Sequence, residues 1–294
     1  MPLLSAQHDK SIQDLLNRCF PVPPGASFYD DFPVWMPGTG PDAFRFGAFE
    51  GDHLISTALL RPARLRTLEG EIVRVGLIGG VTTDAGHRGK GLASEMVSEA
   101  IEKARTLQLQ TLLLWGSEHG LYERLGFQVS GTQWRASLPS CLKESRHPRA
   151  TQGEMKSGFS PELFTLLRLR QQGLILEPQD ERWMSRHKNV SWSTWVESGK
   201  IKAYIAAHRG IDLQGYVHEW GGETSALMSL LDRIVTKEPD LLLLGPSDTP
   251  KRMALAKLPP DTVTEPLALF FNLDPKAPTG ASFEKIWIWG LDAS

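Results

Sequence analysis

A chain of 294 residues with 41% apolar, 22% charged and 9% aromatic residues falls in the ordinary globular class, which excludes disordered and fibrous architectures. Its length favours two domains of about 140 residues each. A formal net charge of -2 gives no global drive towards nucleic acid or an anionic membrane, and neither is expected as a partner.

The opening MPLLSAQHDK has neither the apolar length nor the charge order of a secretory signal, and no later run approaches membrane-spanning length. Cys19 and Cys141 stand in unrelated contexts without metal-ligand or redox spacing. A cytoplasmic protein with two reduced thiols and no metal is therefore expected, with self-association left open.

In chain order, residues 8–20 place Ile12, Leu15, Leu16 and Phe20 near one helical face, and the prolines from Pro21 onward end the pattern. Two short alternating runs, 44–49 and 54–61, are parted by Glu50-Gly51-Asp52 and predict a hairpin. Residues 71–83 predict a long strand with a bulge or splay at Gly79-Gly80, followed at once by glycine-rich sequence. Met96, Val97, Ala100, Ile101 and Ala104 recur at helical spacing within 92–107. A buried strand at 111–115, a short helix at 120–125 and a strand from 127 complete this unit.

Residues 139–160 lose apolar periodicity and predict a linker. Beyond it the sequence predicts a helix at 161–172, a Trp-rich helix or loop at 181–195, and strands at 202–208 and 216–220. A helix at 224–236 and strands at 241–244, 267–272 and 287–289 follow. The two halves share an order: 76–81, helix, Thr-Leu-Leu-Leu-Trp-Gly at 111–116, against 215–220, helix, Asp-Leu-Leu-Leu-Leu-Gly at 240–245. A tandem duplication with one degenerate copy accounts for this, and two unrelated α/β domains with similar local order are the alternative.

His87-Arg88-Gly89-Lys90-Gly91 lies between a strand and a helix, where unpaired N–H groups and the positive end of the helix dipole favour a phosphate. Neither the P-loop spacing nor the GxGxxG fingerprint occurs, so nucleotide triphosphatases and Rossmann dehydrogenases recede. The loop has a companion at one helix and one strand further on, Tyr122-Glu-Arg-Leu-Gly126-Phe127. With Arg88-Gly-Lys-Gly91-Leu-Ala93, this run resembles the GNAT acetyltransferase superfamily, whose two segments read R/Q-x-x-G-x-G/A and Y-x-x-x-G-F. The resemblance covers about residues 5–135.

The resemblance implies an α/β (α+β) fold of two tandem GNAT-like domains, each a mixed, mostly antiparallel sheet flanked by helices, the second degenerate. The domains are expected at 1–140 (catalytic, binding acetyl-coenzyme A) and 161–294, joined by a linker at 141–160. It implies that Val81, Thr82 and Thr83 serve the pantetheine arm, that Arg88, Gly89, Lys90, Gly91, Leu92, Ala93 and Ser94 hold the pyrophosphate, and that Ser117 and Glu118 line the thioester end. Tyr122 takes the place of the general acid that protonates the departing thiolate, with a packing residue on a helix face as the alternative. Acetyl-coenzyme A is then the co-substrate, used at one site per chain, and the acceptor is the primary amine of a small molecule or peptide. A non-catalytic acyl-coenzyme A sensor is the second reading.

Within the superfamily the segment Leu114-Trp-Gly-Ser-Glu-His-Gly-Leu-Tyr122 resembles the enhanced-intracellular-survival-like aminoglycoside acetyltransferases, which carry a further sterol-carrier-like domain for which no room is expected in this chain. In that branch the chain-terminal carboxylate is the base, here Ser294, and the assignment stays open. Asp30 and Asp31 read as a solvated turn rather than a cation site, and His119 as a surface histidine rather than a base. His218-Glu219 reads as a satisfied hydrogen-bonding pair, with a place in a cleft as the alternative. The six tryptophans of the second half read as an aromatic core or interdomain contact, with a carbohydrate or aromatic platform as the alternative.

Overall fold

The computed structural model describes residues 3–116, 118–273 and 285–292. Helix α1 (Asp9–Cys19) buries Ile12, Leu15 and Leu16, and α2 (Phe28–Asp31) is capped by the Ser27 side chain. Strands β1 (Phe44–Glu50) and β2 (His53–Arg66) form the expected hairpin. Strand β3 (Ile72–Thr83), helix α3 (Leu92–Thr106) and strand β4 (Thr111–Leu114) then form a parallel crossover, in which α3 buries Met96, Val97, Ala100, Ile101 and Ala104 against the sheet. Helix α4 (His119–Arg124) and strand β5 (Gln128–Ser130) end the first unit.

The second unit opens with β6 (Gln133–Ser137), α5 (Leu138–Glu144), β7 (Glu154–Ser157), α6 (Pro161–Arg168), β8 (Gly173–Leu174) and α7 (Glu181–Met184). It continues through β9 (Ser191–Glu197), β10 (Lys200–Ala207), β11 (Tyr216–Gly222), α8 (Thr224–Lys237) and β12 (Leu242–Pro246). It closes with α9 (Thr249–Arg252), β13 (Val263–Glu265) and β14 (Ala268–Asn272).

The strands form two seven-stranded sheets that repeat one plan. The first runs β1-β2-β3-β4-β14-β5, with β8 added to β2, and the second runs β13-β6-β12-β11-β10-β9-β7. In each sheet one pair is parallel across a helical crossover, β3 with β4 and β11 with β12, and the remaining pairs are antiparallel. The tandem arrangement expected from the shared order is thus present in the fold.

The sheets do not divide at residue 140. After β5 the chain passes through Gly131, at φ +72°, and β6 joins the second sheet between β12 and β13. After β13 it crosses back at Pro266, and β14 inserts in the first sheet between β4 and β5. A Cβ at Gly131 would stand 2.9 Å from Leu267 Cβ, so the two crossings touch and leave no room for a larger residue.

Two further expectations change. The linker at 141–160 carries most of α5, whose Leu138, Cys141 and Leu142 are buried, and also β7. Its apolar signal was too short to show a period, because a short helix there packs against α8. Residues 287–289 form no strand, although Trp287 and Trp289 are buried and meet edge to face at 5.4 Å. The 181–195 stretch resolves into α7 and the start of β9.

One hydrophobic cluster joins Leu65, Val75 and Leu113 of the first sheet to Trp134, Trp220, Leu243 and Trp289. A second joins α1 and α2 to α6, α7 and Trp192. The halves therefore share a core as well as strands. A fragment of residues 1–140 lacks β14 and leaves β4 and β5 as open edges, while β6 loses its own sheet. It is expected to give no cooperative thermal transition by circular dichroism under conditions where the full chain melts cooperatively; a fragment as stable as the full chain would refute this.

Candidate active site

The parallel ladder between β3 and β4 runs from Val75–Thr111 to Ile78–Leu114 and stops there. Gly80 at φ +58° turns β3 away, and Gly79 lies so close to Trp35 that a Cβ would fall 2.7 Å from its ring. The strands beyond this point diverge and open a cavity of about 480 Å³, lined by Val81, Trp115, Gly116, Glu118 and Tyr122. Its far wall comes from the second half: Arg209, Ile211, Asp212, Leu213, Leu244 and Gly290. Phe20, Phe28 and Phe32 close one side.

Beyond the divergence, the Thr82 carbonyl accepts the Ser56 hydroxyl at 3.0 Å, and the Thr83 carbonyl accepts Arg88 Nε at 3.2 Å. Val81 lines the cavity, whereas the Thr82 and Thr83 carbonyls are engaged within the protein. The turn into α3 is built by Asp84, which accepts from Gly86 N–H at 3.2 Å and pairs with Arg18 at 3.1 Å. These contacts hold the Asp84 carboxyl below its ordinary pKa.

Gly89 and Gly91 sit at φ +76° and +83°, and a Cβ added at either would meet nothing within 4 Å. Their requirement is conformational, since an L side chain is strained there. Gly91 is the N-cap of α3 and brings no side-chain acceptor, so the first-turn N–H groups of Leu92, Ala93 and Ser94 carry the positive end of the dipole outward. Arg88 and Lys90 are exposed beside them.

Tyr122 is 5% exposed and packs its ring edge to face on Phe127 at 6.0 Å. It is a packing residue and a cavity residue at once, and among the described residues its hydroxyl has no hydrogen-bond partner. Burial, with Glu118 adding to it, pushes the phenol up to about 12, so it carries its proton at neutral pH. Glu118 is exposed at the N-cap of α4, and His119 is exposed and does not line this cavity. Ser117 and Ser294 lie outside the described residues.

The cavity's second-half wall is not foreshadowed in the sequence. Arg209 is buried, donates from Nε to Asp212 Oδ1 at 2.8 Å and from Nη1 to the Gly290 carbonyl, and lies over the face of Phe32 at 4.7 Å. A single arginine in a loop carries no periodic or spacing signal, so its role emerges only once Phe32 and Gly290 have been brought to it.

Asp30 and Asp31 are buried, contrary to the solvated turn expected of them. Asp30 accepts from Ser27 N–H at 3.0 Å and pairs with Lys188 at 2.8 Å; Asp31 accepts from Asn189 Nδ2 at 2.7 Å and Gly210 N–H at 3.1 Å. They tie α2 to loops of the second half, which sequence distance concealed.

His218 and Glu219 are also buried but do not pair with each other. His218 contacts the His208 carbonyl at 2.7 Å, and burial beside Arg209 lowers it to about 4. Glu219 pairs with Arg170 at 3.0 Å, and Arg170 also binds Asp292; burial pushes Glu219 up to about 8 against the pull of Arg170. Neither lines the cavity. Among the described residues no cluster of three or more His, Cys, Asp or Glu could hold a metal, and no helix is long and apolar enough to cross a membrane.

The second sheet shows why the duplicated unit differs. Three residues past the last parallel pair lies Val81 in the first sheet and Trp220 in the second. The Trp220 indole donates to the Leu244 carbonyl at 2.8 Å where β11 and β12 part and, with Gly221 and Gly222, lines a separate cavity of about 390 Å³. Helix α8 is preceded by Glu223 as N-cap, an acid where α3 has Gly91.

Residues 4–130 match the model of the GNAT acetyltransferase domain. An uncharacterized N-acetyltransferase of Streptomyces avermitilis is 28% identical over 164 residues, a match spanning 51% of this chain and 39% of that relative. The chain thus matches well under half the length of that curated relative. A probable N-acyltransferase of Enterococcus faecalis shares the fold at TM-score 0.69 and 16% identity, over 92% of this chain and 72% of that one. Eis1 of Mycobacterium abscessus shares it at TM-score 0.62 and 15% identity, over 94% and 74%.

A Cβ at Gly116 would stand 2.7 Å from Tyr122 Cε2. Gly116→Ala is therefore expected to displace the ring and cost about 1–3 kcal/mol by denaturant unfolding. An unchanged midpoint, with an unchanged near-ultraviolet tyrosine signal, would contradict the packing described.

Proposed function

We propose that the chain, whose residues 4–130 match the GNAT acetyltransferase domain, is a member of that superfamily and moves an acetyl group from acetyl-coenzyme A to a primary amine. The observation that carries this reading is the cavity that joins the divergence of β3 and β4 to Tyr122, beside a helix whose first turn is uncapped by any side chain. The residues present fit the donor. Leu92, Ala93 and Ser94 offer N–H groups to a pyrophosphate, Arg88 and Lys90 add positive charge, and Val81 offers backbone groups to the pantetheine arm. Glu118 stands near the thioester end with Tyr122, and Ser117 keeps the place that the resemblance implies for it.

The amine nitrogen attacks the thioester carbonyl and forms the C–N bond. As the tetrahedral intermediate collapses and the C–S bond breaks, Tyr122 gives its proton to the departing thiolate and is reprotonated from solvent, while the new amide nitrogen releases one proton. Burial keeps the phenol fully protonated at neutral pH, the state the step starts from. The turn into the second-sheet helix α8 lacks the glycine loop and carries Glu223, paired with Lys202, as its N-cap, which supports one donor site per chain.

Calorimetric titration with acetyl-coenzyme A is expected to give one site per chain, and combined Arg88→Glu and Gly91→Asp changes should abolish it. Two sites, or binding undiminished in the double variant, would refute the assignment. Tyr122→Phe is expected to lower kcat by about a hundredfold with donor affinity retained. Thiol release at the wild-type rate would remove Tyr122 from the acid role. Donor binding without thiol release across a broad amine panel would instead favour a non-catalytic sensor.

A further inference from the structure

The cavity wall facing Tyr122 has a chemistry of its own. Phe20, Phe28 and Phe32 form a continuous aromatic stack, with ring centroids 4.7 Å apart at each step. Ile211, Leu213 and Ile288 continue the apolar surface from the second half. Phe20 is half-buried and Phe28 and Phe32 are buried, so Phe20 is the ring of the stack with surface left to offer.

Charge on this wall is sparse. Among the described residues that line the cavity, the ionic groups are Arg209, Asp212 and Glu118. Arg209 is committed to Asp212, to which it donates from both Nε and Nη2, so that pair is neutral as a unit. Glu118 has no ion pair among the described residues and lies near enough to Tyr122 to raise its phenol. Among the described lining residues, Glu118 is thus the carboxylate without an ion pair at the edge of an apolar chamber. A polyamine would place its further ammonium groups against Phe20, Ile211 and Leu213 without partners, at a desolvation cost that one carboxylate does not offset.

We infer that the acceptor is a small monoamine with an apolar, ring-sized body, whose ring lies against Phe20 and whose ammonium is met by Glu118. This rests on the transferase reading for its chemistry, and its binding preference is measurable without turnover. The group transfer is the one given above, with the ammonium proton released to solvent before attack.

The test is calorimetric binding of 2-phenylethylamine, methylamine and spermidine to the full chain saturated with coenzyme A. 2-Phenylethylamine is expected to bind about tenfold or more tightly than either competitor, since burying a ring contributes more than a second cation without a partner. Phe20→Ala should collapse the ratio of 2-phenylethylamine to methylamine towards one, and Glu118→Gln should weaken 2-phenylethylamine about tenfold. Phe20→Ala should retain coenzyme A binding, and both variants should keep the wild-type circular dichroism spectrum and thermal midpoint, which certifies their fold.

Spermidine binding as tightly as 2-phenylethylamine, or a ratio unmoved by Phe20→Ala, would overturn the inference. Ile211→Glu supplies a second carboxylate at this wall and should shift preference towards spermidine; no shift would also count against it. If the binding order holds while no amine in the panel releases thiol from acetyl-coenzyme A, the transferase reading fails and the preference of the chamber stands.

Discussion

The return of β14 from the second unit into the first sheet is the constraint from which the rest of this structure follows. The first sheet is completed by a strand that belongs, by sequence order, to the second unit. Because β14 supplies both neighbours with backbone partners, β4 and β5 stay apart by the width of one strand, and the end of β4 is held beside the start of α4. The position of Tyr122 in the first half thus depends on residues 268–272. The same crossings bring the 209–213 loop and Gly290 over the mouth of the divergence, so the cavity has walls from both halves.

Duplication of one plan produced two sites of opposite character through small local differences. A strand pair that parts beyond its parallel ladder leaves backbone groups and volume that must be filled by something. In the second sheet the Trp220 indole satisfies the Leu244 carbonyl, and Trp289 packs against it edge to face at 5.5 Å. In the first sheet Val81 brings no such donor and lines the cavity beside Tyr122. The turn before α3 is long and glycine-bearing, whereas β11 passes to α8 through Glu223 alone.

Buried charge ties the halves together at their seam. Asp31 receives Asn189 and Gly210, Asp30 pairs with Lys188, and the Arg209 guanidinium lies over Phe32. These contacts link elements far apart in sequence, and removing one partner would leave a desolvated charge, which is costly in a way that a surface pair is not. Residues that resemble a solvated acidic turn and a local His-Glu pair therefore have different partners altogether.

Local order was written in the sequence: the hairpin at Glu50–His53, the long β3 with its break at Gly79-Gly80, the amphipathic α3 and the glycine loop before it all follow from periodicity and turn chemistry within a few residues. So did the duplication, because the repeated strand-helix-strand order preserves its apolar runs. Tertiary structure alone decided which sheet β6 and β14 enter, that residues 138–144 and 154–157 are helix and strand, and that Arg209 and the Phe20–Phe28–Phe32 stack face Tyr122. The physical reason is range. Period and cap signals act between residues a few positions apart, whereas strand insertion and cavity walls arise from burial between segments more than a hundred residues apart, which a linear pattern does not encode.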